Sequence, residues 1–360
     1  MKLQNFALAA VALAATAAVN AQTAPGNSSV VLYGIVDAYV QSAHAASSLT
    51  RVQSGGLNGS RFGLRGSEDL GGGLRGIFTI ESGINLDDGS FGQGAFWGRQ
   101  AYVGLASSYG QLTLGRQYGS IYTLSSDFSE FSNGPIGAST AVIGGFGGYE
   151  PVRGSAATAT GNGGPGRNNN AVKYETPNFG GFKGGALVGL GEVSGGTNET
   201  RIADLYGRYT AGPLDVMLSF QDDKSAAAAL NVRTVSAAAA YAFGDYRVTG
   251  GVISVDDRNA TNVDGDGYWI GGDYRFGANQ VKAQYLVSKL KNGSDGKTQA
   301  FGVGYQYDLS RRTALYSSLT QFKNEGTGYA NRWASSLPAG LTSASDRDIT
   351  EVVAGVRHTF

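Results

Sequence analysis

The chain has 360 residues, and its 28 lysines and arginines are matched by 28 aspartates and glutamates. That balance leaves no general basic face for a phosphate backbone, which argues against a nucleic-acid partner. The absence of cysteine removes disulfides and thiolate chemistry alike.

The first residues read as an address. Met1-Lys2 supplies a positive start, Phe6 to Val19 an apolar run, and Val19-Asn20-Ala21 a small-residue cleavage site. The expectation is a signal peptide over 1–21 and one domain over 22–360. The apolar run is short for the ~20 residues of a membrane-spanning helix, and no later run reaches that length. Glycine, at 57 residues, is accompanied by 19 tyrosines and 16 phenylalanines. Disordered glycine-rich chains lack such an aromatic share.

Segments with a two-residue rhythm then follow one another. They cover 29–41, 61–67, 74–84, 98–106, 111–118, 170–176, 182–191, 201–210, 214–221, 232–243, 247–255, 268–276, 280–289, 298–307, 313–322 and 349–360. Their connections alternate between short, such as 107–110, 211–213 and 277–279, and long, such as 42–60, 85–97 and 119–167. Ala226–Ala229 and Ala237–Ala240 have helical propensity, but Val232, Thr234, Val235, Tyr241 and Phe243 favour a strand there. In 281–287, Val281, Ala283, Tyr285 and Val287 alternate with Lys282, Gln284 and Leu286. In the last segment, Val352, Ala354, Val356, His358 and Phe360 alternate with Glu351, Val353, Gly355, Arg357 and Thr359. Such strands have two faces in two different solvents. A terminal strand ending on an aromatic needs a partner, and pairing it with the first strand closes a barrel. Sixteen is an even count, as transmembrane barrels use, with short turns at one rim and long loops at the other. The expected fold is all-β: a transmembrane antiparallel β-barrel of 16 strands, crossing the bacterial outer membrane repeatedly. A barrel of that size holds an aqueous channel.

So wide a channel has to be narrowed to select. The one connection long enough is 119–167, which carries Tyr122, Phe128, Phe131 and Ile136 as candidate wall anchors and Asp127 and Glu130 as charges. Parity places Arg61 and Arg65, then Arg75, Thr79 and Glu81, then Arg99 and Arg167, on the wet face. The expectation is an arginine arc facing an acidic loop across the constriction, with fixed charge biasing what passes.

Several stretches resemble the trimeric general porins of Gram-negative outer membranes, in particular their betaproteobacterial branch. They are Ser29-Val30-Val31-Leu32-Tyr33-Gly34-Ile35-Val36-Asp37, Ser60-Arg61-Phe62-Gly63-Leu64-Arg65-Gly66-Ser67-Glu68-Asp69-Leu70-Gly71, Gly98-Arg99-Gln100-Ala101-Tyr102-Val103-Gly104-Leu105, Leu114-Gly115-Arg116-Gln117-Tyr118 and Phe360. The resemblance implies a homotrimer of 16-stranded barrels set in outer-membrane lipid and lipopolysaccharide, with the third loop folded into each pore. It also implies passive diffusion of small hydrophilic solutes and ions. The terminal Phe360 would be a signal to the outer-membrane assembly machinery. By the same resemblance Arg61, Arg99 and Arg167 are constriction arginines, Asp127 and Glu130 the acidic pair, and Arg116 a trimer-interface residue. Arg75 rests on parity alone. Ile35 stands where enteric members carry a lysine, and the spacing of Asp127 and Glu130 is shorter than theirs.

A catalytic reading finds little support. His44 sits in a Ser/Ala-rich loop and His358 beside the terminal aromatic, neither with a triad around it. No enzyme activity, cofactor or metal is expected. Trp97, Trp269 and Trp333 fall near loop ends and are expected in an interfacial girdle. Asn262–Gly267 has the look of a calcium loop, but it lacks the distal glutamate and reads better as a turn.

Overall fold

The computed structural model describes residues 28–140, 166–190, 202–225, 230–258, 264–291, 296–326 and 348–360. The expected signal peptide, the 141–165 part of the long loop, Ala226–Ala229, Asn262, Val263 and Trp333 lie outside the described residues.

The strands are β1 (Ser29–His44), β2 (Ser48–Ser54), β3 (Arg61–Gly71), β4 (Leu74–Ile84), β5 (Phe91–Gly92), β6 (Gln100–Ser107), β7 (Gly110–Tyr118), β8 (Arg167–Glu175) and β9 (Phe182–Gly189). They continue as β10 (Ile202–Ala211), β11 (Leu214–Ser225), β12 (Leu230–Phe243), β13 (Tyr246–Asp257), β14 (Gly265–Phe276), β15 (Asn279–Leu290), β16 (Lys297–Asp308), β17 (Thr313–Glu325) and β18 (Ile349–Thr359). All belong to one antiparallel sheet that closes on itself through β1 and β18. That ladder runs from Ile35↔Thr359 to His44↔Thr350. Phe360 extends the seam: its N–H donates to the Gly34 carbonyl at 3.1 Å and its carbonyl accepts from the Gly34 N–H at 3.0 Å. Its ring lies where a side chain on Gly34 would stand, so only glycine fits there.

Two of these eighteen strands do not add to the circumference. β2 sits above β3, both against β1; β5 sits above β6, both against β4. The wall is therefore 16 strands around. β2 and β5 were hidden inside the expected loops 42–60 and 85–97. β5, at two residues, is too short to display a period, and β2 is largely polar with its apolar Leu49 and Val52 on opposite faces (Ser-Leu-Thr-Arg-Val-Gln-Ser). The alanines of 237–240 are strand, because pairing to β11 and β13 overrides helix propensity.

Alternation sorts the side chains as expected. Leu218, Ile270 and Phe301 point away from the barrel and are more than half exposed, while Met217, Ser219 and Leu286 point inward and are buried. Near the short turns at 244–245 and 277–278, Tyr241, Phe243, Tyr246, Tyr274 and Phe276 form a run of neighbouring rings with centroids 4.4–6.4 Å apart. This is the girdle at that rim. At the turn between β3 and β4, Gly71, Gly72 and Gly73 all take positive φ, a conformation that side chains resist.

The one described helix, α1 (Ser120–Asp127), lies inside the barrel. Ile121, Leu124 and Phe128 are fully buried and share a cluster with Met217, Ile253, Trp269 and Leu286 of the inner wall. The dry core is thus a seam between the folded loop and the inner wall from β11 through β18 to β1.

Candidate constriction site

The long loop is fastened to one side of the lumen by a series of inward polar groups. The Ser120 N–H donates to Asp204 at 2.9 Å. The Trp269 indole N–H donates to the Phe128 carbonyl at 2.6 Å, the Glu130 N–H to Gln284 at 2.8 Å, and the Gly137 N–H to Glu351 at 3.2 Å. Each fastening is buried, where an unpaired N–H is costly. Trp269 is therefore a loop anchor, 4% exposed, and not part of a girdle. Its neighbours Tyr268 and Ile270 face out, so strict alternation already placed it inside. Trp97 packs against Phe62 and Phe96 beside the short strand β5.

The acidic pair faces the side to which the loop is fastened. Asp127 is ion-paired to Arg208 at 2.7 Å, and Arg208 also grips Asp215 with a second N–H fork. The Asp127 carbonyl accepts from Arg247. Glu130 accepts from Thr249 at 2.9 Å, lies 3.7 Å from Arg247, and its carbonyl accepts from Lys282 at 3.2 Å. Burial, then the nearby Asp273, push the Glu130 carboxyl up to about 7, against the pull of Thr249 and Arg247. An acidic loop facing the arginine arc was the expectation. In the structure inward parity on β10, β13 and β15 brings Arg208, Arg247 and Lys282 under the loop, and these take its charges. Beneath the loop, toward the short-turn rim, lies a chamber of about 740 Å³ lined by these cations together with Arg275, Arg357, Asp273 and Asp308.

The expected arginines occupy the other wall, on β3, the approach to β6, and β8. Arg99 is buried and paired to Glu81 at 2.7 Å, and it donates to the Tyr118 hydroxyl at 2.7 Å. Glu81 also accepts from the hydroxyls of Tyr33 and Tyr118, each at 3.0 Å. Tyr118 stacks on Tyr122 of α1 with centroids 4.2 Å apart, and the Arg167 guanidinium lies 5.3 Å from both ring centres. Arg61 donates to the Gly59 carbonyl at 2.7 Å. Arg61 and Arg99 both act on Glu81, and Arg167 stands beside them over the Tyr118 and Tyr122 rings. Arg75 does not join them. It pairs opposite Asp69 beside the β3–β4 turn, six positions along β4 from Glu81, or ~20 Å at ~3.3 Å per residue. Arg116 is half-buried at a ladder irregularity in β7, where it donates to the Gly98 carbonyl at 2.8 Å and to the Asn169 side chain.

Sequence reasoning missed residues 55–60, which leave the wall between β2 and β3 and enter the lumen near the arginines. The signal for them was Asp37, a carboxylate at an inward position of the first strand. His44 bonds Ser48 and His358 bonds Thr313, each at an exposed position. Gly265–Gly267, the end of the calcium-like stretch, begin β14.

The chain matches the family model described as Gram-negative porin over residues 7–327. It is 33% identical to outer membrane porin protein 32 of Delftia acidovorans, an alignment covering 100% of both chains. It is 31% identical to an outer membrane porin protein of Bordetella pertussis, over 94% of this chain and 96% of that one. Among solved structures, the anion-selective porin from Comamonas acidovorans aligns with a TM-score of 0.74 at 29% identity, covering 93% of this chain and 100% of that one. The trimer form of OmpT from Vibrio cholerae aligns with a TM-score of 0.64 at 16% identity over 93% of this chain and 100% of that one, a likeness of fold.

Proposed function

The chain belongs to the Gram-negative porin family and is a multi-pass outer-membrane protein, and on that premise we propose that it is a passive, non-enzymatic channel for small hydrophilic solutes and ions that favours anions. The observation that carries the reading is the orientation of the loop acids. Asp127 and Glu130 are engaged by Arg208, Arg247 and Lys282. Arg61 and Arg99 share Glu81 as their nearby carboxylate, Arg99 holds it, and Arg167 stands over the adjoining Tyr118 and Tyr122 rings. Three cations against one anion leave that wall positive. Fixed charge at a narrow wet passage enriches counter-ions and repels co-ions. The Comamonas relative, described as anion-selective, supports the same sign.

The test is a planar bilayer holding the purified protein in a KCl gradient. Stepwise conductance is expected, with a reversal potential on the chloride side of zero. A silent bilayer refutes the channel, and a potassium-side reversal refutes the preference.

The same reading makes the assembly a homotrimer in outer-membrane lipid and lipopolysaccharide, with Arg116 near the subunit contact; the trimer form of the Vibrio OmpT supports it. Chemical cross-linking that stops at three copies is the expected result. Phe360 is proposed as the contact for the assembly machinery, and removing it should leave the chain outside the membrane. Cleavage after Ala21 predicts a mature chain beginning at Gln22, readable by N-terminal sequencing.

A further inference from the structure

We infer that residues 55–60 form a second constriction element, and that Asp37 is the positioning residue that sets it and, through it, Arg61. The inference rests on the channel reading above.

The pairing of β1 fixes how many residues belong there. Ala38 pairs with Ser54 and Ile35 pairs with Arg61, so an unbroken ladder would place two residues opposite Asp37 and Val36. The chain supplies six, from Gly55 to Ser60. The four extra residues are extruded from the wall, as in an enlarged β-bulge. They go inward. Leu57 is buried against Tyr39, Tyr316, Val353 and Ile136, the last from the folded loop. Gly134 of that loop lies so close to the Gly56 carbonyl that a side chain on it would collide. The extrusion and the long loop therefore meet at their tips.

An extruded turn strands backbone N–H groups, which need acceptors once buried. One side chain supplies them. The fully buried Asp37 carboxylate accepts from the N–H groups of Gly56 (3.2 Å), Leu57 (2.9 Å) and Asn58 (2.9 Å), and from the Tyr316 hydroxyl (2.5 Å). Successive N–H groups converging on an anion form a nest. A carboxylate has about four acceptor sites, and all are in use. The Asp37 backbone closes the other end: its N–H donates to the Ser60 hydroxyl at 3.0 Å, and its carbonyl accepts from the same hydroxyl at 2.9 Å.

The turn so held presents two groups to the lumen. The Gly59 carbonyl takes the Arg61 N–H at 2.7 Å, and the Asn58 side chain takes Arg357 at 2.8 Å. Arg61 thus owes its ladder position to the wall, but the direction of its guanidinium to the turn. Asparagine at 37 would keep one acceptor oxygen and turn N–H donors toward N–H donors.

Two variants test this, read by reversal potential in a KCl gradient and by single-channel conductance. The first is Asp37→Asn. The second deletes Gly56–Gly59, leaving Gly55 and Ser60 to fill the two ladder positions with Arg61 still opposite Ile35. Arg61→Gln is the control that reports the charge alone. With the wild type conducting and anion-preferring, both variants should raise conductance and move the reversal potential toward zero, in the direction of Arg61→Gln. The deletion decides the matter if Asp37→Asn fails to fold. Wild-type conductance and reversal potential in the deletion variant would overturn the inference while leaving the channel standing, as would an Arg61→Gln that changes nothing. A silent wild type would instead overturn the channel reading beneath it.

Discussion

Replacing Glu81 with glutamine should destabilise the barrel and sharpen its preference for anions. Glu81 and Arg99 are both nearly sealed from water, with side chains 4% and 3% exposed and 2.7 Å apart. Removing one partner of a buried pair leaves the other charge uncompensated, at a cost of about 3–5 kcal/mol. The same change takes the carboxylate charge away from Arg61 and Arg99. A chloride passing about 5 Å from one added unit of charge gains about 0.8 kcal/mol in water. Salt near 0.1 M, with its screening length of about 10 Å, reduces this to about 0.5 kcal/mol. Acting with opposite sign on potassium, that raises the anion-to-cation ratio by about five-fold. Urea unfolding of the reconstituted barrel reads the first effect and the reversal potential reads the second. In Glu81→Gln with Arg99→Met, both charges are gone, so most of the stability should return and the selectivity should fall back toward wild type. A Glu81→Gln channel that shifted toward cations, or kept its stability, would refute the reasoning.

Asp127→Asn frees Arg208 as Glu81→Gln frees Arg99 and should likewise move the reversal potential toward anions, whereas Arg61→Gln or Arg167→Gln should each lower the anion preference by about five-fold. The Glu130 carboxyl is raised to about 7 in the folded chain, above the ~4.3 of an unfolded glutamate. Its contribution to stability is therefore complete below about 4.3 and is lost as pH rises through about 7. Unfolding midpoints across that window should fall in the wild type more than in Glu130→Gln. Trp269→Phe removes the indole hydrogen bond to Phe128, worth about 1 kcal/mol; hydrogen exchange across 120–130 should quicken while the barrel melts as before. Gly34→Leu puts a side chain where the Phe360 ring lies, and the fraction assembled into membranes should drop.

The wall was legible because each of its strands separates two solvents, so alternation, turn glycines and loop lengths all report the same geometry. Even Trp269 obeyed the alternation, and only its nearness to a loop end pointed the wrong way. β2, β5 and the 55–60 turn were not legible. β5 and the 55–60 turn span too few residues for a period to build up, and β2, though it pairs regularly with β1, places its apolar Leu49 and Val52 on opposite faces. The loop acids illustrate a different limit. Asp127 and Glu130 could be recognised as lumen charges, but Arg208, Arg247 and Lys282 lie far along the chain, and only the curvature of the closed sheet brings them beneath the loop. Arg75 has the right parity at the wrong height: alternation tells inside from outside and says nothing of depth.

The seam between β1 and β18 bears on how such a wall comes to exist. Gln41 and Glu351 meet across it although 310 residues separate them. Relative to a loop of about ten residues, bringing such distant ends together costs about 3 kcal/mol more in chain entropy, and contacts so remote in sequence slow folding. Every other wall strand can pair with its immediate predecessor as a hairpin. The seam alone joins the two ends of the sheet, so until β18 pairs with β1 the sheet keeps two raw edges that can recruit other chains.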